Sequence, residues 1–139
     1  MEIAIRRIGR GDSGRFDRVA DEVFDEAVDH RRLLAYLAEP GHLMVVALRG
    51  GEVIGQVAAV VHRHPDKPTE LYIDEVGVAP AFQRRGIARR MLAAMFAWGR
   101  ELGCEEAWVG TEPDNLPARA LYESGDAEAE PFVMYVYEL

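Results

Sequence analysis

The stretch "QRRGIARR" (83–90) gathers Arg84, Arg85, Arg89 and Arg90 around Gly86 in a chain whose net charge is −8. It follows an apolar run, "LYIDEVGV" (71–78), and opens an amphipathic one. A helix starting at such a point offers unpaired backbone N–H groups and the positive end of its dipole, which together bind anions. Glycine lets a ligand approach the backbone and permits an unusual backbone angle. Neither common phosphate fingerprint, GxxxxGK[ST] or GxGxxG, occurs here. Arg89 and Arg90 read equally well as ordinary solvated helix charges.

The second group is a pair of carboxylates, Asp74 and Glu75, on the run that leads into this cluster. Carboxylates beside an anion site suit proton transfer. In a regular strand the two point to opposite faces, but a bulge would reverse the assignment, so both stay candidates. A third group is acidic. Asp21, Asp25 and Asp29, with Glu22 and Glu26, lie opposite Val19, Val23 and Ala27 on a helix predicted over 16–38. They form either a solvated helix face or an acidic wall beside a site. Cys104 follows a helix-ending glycine with no histidine nearby in sequence, which reads as packing. The four histidines show no metal-ligand spacing beyond the weak H-x-H of "HRHP", so no metal is expected.

These groups need a frame. At 139 residues, 49% hydrophobic and 29% charged, the chain reads as one soluble globular domain over residues 1–139. Its apolar runs are too short to span a membrane, and the N-terminus shows no secretory signal. With a single cysteine no internal disulfide forms, so a cytoplasmic location is expected. The balance of 16 basic to 24 acidic residues disfavours nucleic-acid binding and suits a cationic partner. Strands are predicted at 2–8, 42–48, 52–61, 71–78, 105–111 and 132–139, with a tight "RGG" turn between the second and third. Helices are predicted at 16–38, 85–102 (with Gly103 as its left-handed C-cap) and 115–124. That order describes a mixed α/β domain, its sheet antiparallel early and gaining a parallel crossover late.

Residues Gln83–Ala88 fill every position of [QR]-x-x-G-x-[GA], and an Asn, Asn115, precedes "ARALYESG". In both motifs, and in strand order along essentially the whole chain, the sequence resembles the GNAT superfamily of N-acetyltransferases. Within it, "VIGQVAAVV", the proline loop, "LYIDEVGV" and "FVMYVYEL" look most like the gentamicin-type aminoglycoside 3-N-acetyltransferases. The resemblance implies a mostly antiparallel mixed sheet, splayed at the cofactor strand, with helices on both faces. It implies acetyl-coenzyme A as co-substrate: the backbone of Val76, Gly77 and Val78 pairs with the pantetheine arm, and the amides of Arg84, Arg85, Gly86, Ile87 and Ala88 hold the pyrophosphate. Gln83, Arg89 and Asn115 complete that set.

The same resemblance implies direct acetyl transfer to an amino group, the 3-amino group of an aminoglycoside. It places the base at Glu75, keeps Asp74 as reserve or substrate anchor, and puts the Tyr122 phenol near the coenzyme sulfur. Glu112 and Asp114 join Asp74 and Glu75 as acidic groups for a cationic acceptor. A homodimer paired through the 132–139 strand is left open. So are acetylation of another small amine or a peptide N-terminus, and a coenzyme A-binding module without catalysis. One departure stands out: Asp126, in "YESGDAEAEPF", occupies a place the family gives to a hydrophobic residue.

Overall fold

A computed structural model describes residues 2–139. Its frame is a five-stranded sheet in the order β1 (Ala4–Arg7), β2 (His42–Arg49), β3 (Glu52–His62), β4 (Glu70–Val78) and β5 (Glu106–Val109). The first four are antiparallel neighbours, and β5 lies parallel to β4. The long apolar runs of β2 and β3 are covered on both faces, which explains their unbroken hydrophobicity. On one face packs α2 (Ile87–Glu101), through Ile87, Met91, Leu92 and Met95. Burying each of these is worth about 1.5–3 kcal/mol. On the other face lie a 3₁₀ segment (Arg10–Asp17) and α1 (His30–Ala38), anchored by Phe16 and Leu33.

The helix predicted over 16–38 is only half present. Residues 18–29 form an irregular loop, and α1 begins where Asp29 accepts the Arg32 N–H at 2.9 Å. Three β-branched valines and several aspartates make this stretch a poor helix. The sheet also claims its start: Arg18 and Ala20 exchange backbone hydrogen bonds with Val53, both 2.9 Å. Helix α2 and the left-handed Gly103 after it (φ +91°) match the sequence reading within two residues.

The predicted strand at 132–139 is absent. After α3 (Leu116–Glu123) the chain passes Asp126 at φ +65° and continues without a ladder, with Phe132–Tyr137 65–83% exposed. Strand-like composition does not by itself make a ladder, and among the described residues nothing pairs with this segment. The expected splay, by contrast, is present. Pairing of β4 with β5 ends at Ile73 and Val109, and from Asp74 to Val78 β4 runs on with β3 as its one neighbour among the described residues.

Candidate functional site

The site is built around one irregularity in β4. Ala59 of β3 faces Ile73 and Ala58 faces Glu75, so Asp74 is an extra residue on β4 with no partner. A bulge of this kind shifts the parity of everything after it. Leu71 and Ile73 point toward α2, and without the bulge Glu75 would follow them. With it, Val76 and Val78 continue the α2 core, while Glu75 and Gly77 turn to the face that carries Ala58 and the 18–29 loop. Asp74, on the bulge itself, is exposed and lies near the Tyr72 hydroxyl.

Across that face the 18–29 loop is latched onto β4. Val23 is buried, and its carbonyl accepts the Nε2 hydrogen of Gln56 at 3.2 Å. Gln56 is fully buried opposite Gly77 in the ladder. A β-carbon on Gly77 would fall 2.0 Å from the same Val23 carbonyl oxygen. Only glycine lets the loop lie this close to the strand. The latch brings Asp25 near Glu75: the Asp25 backbone N–H favours the charged Glu75 carboxylate, while the Asp25 side-chain charge repels it. Partial burial first, then the charges of Asp25 and Asp74, push the Glu75 carboxyl above its ordinary pKa. The Gln56 amide and the Asp25 N–H oppose that shift in part.

The acidic stretch therefore reaches the site, but as a loop, with Asp25 as its closest member. The sequence reading did not single out Gln56. Its signal was present, since Gln56 is the lone long polar residue in "VIGQVAAVV".

At the far end of β4 the chain makes a short 3₁₀ turn (Pro80–Phe82), and Gln83 donates from Nε2 back to the Val78 carbonyl at 3.0 Å. Arg84 (φ +63°) and Gly86 (φ +73°) both adopt left-handed backbone before α2. The first helical bond runs from the Arg90 N–H to the Gly86 carbonyl, 3.1 Å. Among the described residues the amides from Arg84 to Arg89 donate to no backbone carbonyl, and all of Gln83–Gly86 is exposed. A β-carbon on Gly86 would meet nothing within 4 Å, so the space in front of these amides is open. The arrangement fits an anionic group seated on the helix dipole, and it stands at the end of the unpaired edge of β4.

The arginines divide their work. Arg85 stacks over the Phe82 ring at 5.4 Å. Arg89 donates to the Ser124 hydroxyl at 2.9 Å and so ties α2 to the end of α3, while Arg90 reaches the Ile3 carbonyl at 3.2 Å. Both are structural ties in this chain. Asn115 caps α3 by accepting the Ala118 N–H at 3.2 Å, and Tyr122, half-buried against the α2 core, has its phenol pKa raised by burial. Glu112 and Asp114 are exposed on the loop before α3 and form no ion pair among the described residues. Cys104 is half-buried and its thiol pKa is raised by burial, as packing requires. His64 pairs with Glu70 at 3.1 Å, and the described residues contain no cluster of three metal-ligating side chains.

Comparison with known proteins places this geometry. The model of the acetyltransferase (GNAT) family matches residues 13–125. An aminoglycoside N(6′)-acetyltransferase type 1 of Salmonella typhimurium is 29% identical over 96 residues, covering 65% of this chain and 66% of that protein, just under two thirds of its length. The N-alpha-acetyltransferase RimI of Mycobacterium tuberculosis is 32% identical over 106 residues, covering 76% of this chain and 62% of its own. An aminoglycoside acetyltransferase from an uncultured soil metagenomic sample, solved with trehalose, superposes with a TM-score of 0.85 at 23% identity, covering 99% of this chain and 95% of the other. Aminoglycoside N-acetyltransferase AAC(6′)-Iy in complex with CoA gives 0.80 at 21% identity, again over 99% and 95%. The bulged, splayed strand, the glycine-opened helix and the family match over 13–125 lead to one conclusion: the chain belongs to the GNAT family of acetyltransferases.

Proposed function

We propose that the protein is an acetyl-coenzyme A-dependent N-acetyltransferase whose acceptor is an amino group of an aminoglycoside. The observation that carries this reading is that one strand serves both partners of the reaction. The free edge of β4 ends at the open amide cradle of 84–89, and the bulge in its middle presents Glu75 under an acidic loop.

The residues present fit an acyl-coenzyme A. The β5-side edge of β4 from Val76 through Gly77 to Val78 has no strand beside it, which leaves room for an extended arm, with the Val78 carbonyl held by Gln83, and the amides around Gly86 are free to hold a pyrophosphate. When bound, acetyl-coenzyme A supplies an activated acyl group on a good leaving thiolate. Glu75 takes a proton from the acceptor ammonium, directly or through water, and its raised proton affinity suits it to that step. Tyr122, whose phenol is kept protonated by burial, donates its proton toward the departing sulfur. Asp25 and Asp74 supply negative charge for a cationic acceptor, and Glu112 and Asp114 extend it. Asn115 and Arg89 serve this site by fixing α3, which carries Tyr122.

Support for an aminoglycoside comes from the acidic loop and from the relatives. One structural neighbour was solved with the bisubstrate analogue CoA-S-monomethyl-acetylneamine. The aminoglycoside relatives of known position are named for the 6′ amine, so the 6′ amine is the position we propose. The 3-amino position expected from the sequence is not supported by these relatives. A second reading, acetylation of an amino acid or a protein N-terminus, is favoured by the likeness to RimI and to an L-2,4-diaminobutyric acid acetyltransferase, 30% identical over 78 residues.

A thiol-release assay with acetyl-coenzyme A against aminoglycosides, small amines and N-terminal peptides separates these readings, with NMR of the product fixing the amine. Turnover confined to aminoglycosides, and lost in Glu75→Gln, supports the proposal. Turnover of peptides alone selects the second reading. Coenzyme binding without turnover of any amine returns the protein to a binding module.

A further inference from the structure

Gln56 is the one buried polar side chain among the described residues, fully covered in the middle of β3. A buried amide is tolerated where its hydrogen bonds are made. Here half of it is bare, because Oε1 has no partner among the described residues. The amide cannot be turned over to cure this. Oε1 would then face the Val23 carbonyl oxygen that Nε2 now serves at 3.2 Å. An unpaired buried acceptor lowers stability, so packing alone does not account for a glutamine at this place.

The ladder sets what the amide reaches. Gln56 stands opposite Gly77, and a β-carbon on Gly77 would lie 3.5 Å from Nε2. The head of the side chain therefore leans toward β4, into the space that glycine leaves empty. The next side chain on that face of β4 is Glu75, opposite Ala58 and so diagonal to Gln56. Diagonal neighbours lie about 7–8 Å apart, within reach of long side chains. Nε2 carries two hydrogens, and Val23 takes one. We infer that the second serves the Glu75 carboxylate, making Gln56 a positioning residue that holds the charged base and the acidic loop with one amide. The inference rests on the reading of Glu75 as the base.

The surroundings make such a donor matter. Asp25 from the loop and Asp74 from β4 both repel the Glu75 charge, and partial burial disfavours it further. From α1 comes the Tyr36 phenol, which burial keeps protonated. No arginine or lysine acts on Glu75 among the described residues. The Gln56 amide and the Asp25 N–H are what favours the carboxylate there. Of these two donors, the Asp25 N–H belongs to the loop, whereas Gln56 belongs to the sheet and holds that loop as well.

Gln56→Met keeps the volume of the side chain and removes both hydrogens. Two effects then compete. Loss of the donor raises the Glu75 pKa, whereas a loosened loop exposes Glu75 and lowers it. The substitution is therefore made in wild type and in Gly77→Ala, where the added β-carbon has already displaced the loop from Val23 inward. Urea unfolding confirms that each protein folds. Carboxyl NMR is expected to show Glu75 titrating at higher pH once Gln56 is replaced, in Gly77→Ala at least. In the same protein kcat/KM is expected to fall about three- to tenfold on its acidic limb and less on its plateau. A Glu75 titration that rises in neither background overturns the inference; a merely structural tie gives that result, with kcat/KM lowered equally at every pH. A raised titration beside an unshifted rate profile upholds the inference and removes Glu75 as the base.

Discussion

Replacing Gly77 by alanine tests the latch that holds the acidic loop against β4. The added β-carbon would lie 2.0 Å from the Val23 carbonyl oxygen and 3.0 Å from its carbon, so about 1 Å of separation must be found. Neither partner yields easily, since one is a strand backbone and the other a loop backbone whose side chain is buried. Overpacking against a fixed neighbour costs about 1–3 kcal/mol. If the loop retreats instead, Val23 leaves the Gln56 amide, and an unsatisfied buried polar group costs about 1–3 kcal/mol. By either route the expected loss is about 1–3 kcal/mol, a fall in Tm of roughly 3–12 °C for a domain of this size. Urea denaturation measures it against Gly14→Ala, whose β-carbon would meet nothing within 4 Å. Carboxyl NMR supplies a second readout: as the loop retreats, Glu75 gains solvent and its pKa falls toward the ordinary glutamate value. Gly77→Ala stability within about 0.5 kcal/mol of wild type, the usual range for harmless surface changes, would refute the latch.

Four further outcomes follow from the site. Gly86→Val forces a β-branched residue to φ +73° and fills the open space before the amides, so calorimetry should show coenzyme A affinity lowered about tenfold or more. Asp25→Asn removes a charge that raises the Glu75 pKa, so the acidic limb of the kcat/KM profile should move to lower pH, with KM for a cationic acceptor up to about fivefold higher. Glu75→Gln should lower kcat by about 10²–10⁴. It should also be at least as stable as wild type at neutral pH. The raised folded pKa means Glu75 supports folding below its unfolded pKa and loses that support as pH rises through its folded value, while glutamine keeps it; denaturation at acidic and neutral pH checks the sign. Tyr122→Phe keeps the half-buried ring and removes only the phenol proton, so kcat should fall about 10²-fold at unchanged KM.

What could be read from the residues followed how local each determinant is. Gln83–Ala88 is self-contained: its glycine and the helix after it act within a few residues, and the structure has the left-handed glycine and the helix start there. Helix α2 and strands β2–β4 are long and strongly patterned. The bulge at Asp74 was not legible, because it depends on which residue of β3 faces which of β4. That is why the choice between Asp74 and Glu75 stayed open in the sequence. The stretch 18–29 misled through spacing alone: Val19, Val23 and Ala27 recur every four residues, yet Val19 bridges Val53 and Val23 seals the latch. Phe132–Leu139 has the composition of a strand but pairs with nothing among the described residues, and whether such a segment joins an edge is not written in its own residues.

The bulge also changes what kind of genetic event this site can survive. The outlook of Glu75 is fixed by counting residues along β4, so substitutions around it leave its direction alone. Loss of the single codon for Asp74 would close the bulge: Glu75 would follow Ile73 directly, still opposite Ala58 and still on the face of the acidic loop. What would go is the local kink and the exposed carboxylate of Asp74, so its deletion and its replacement by asparagine separate geometry from charge.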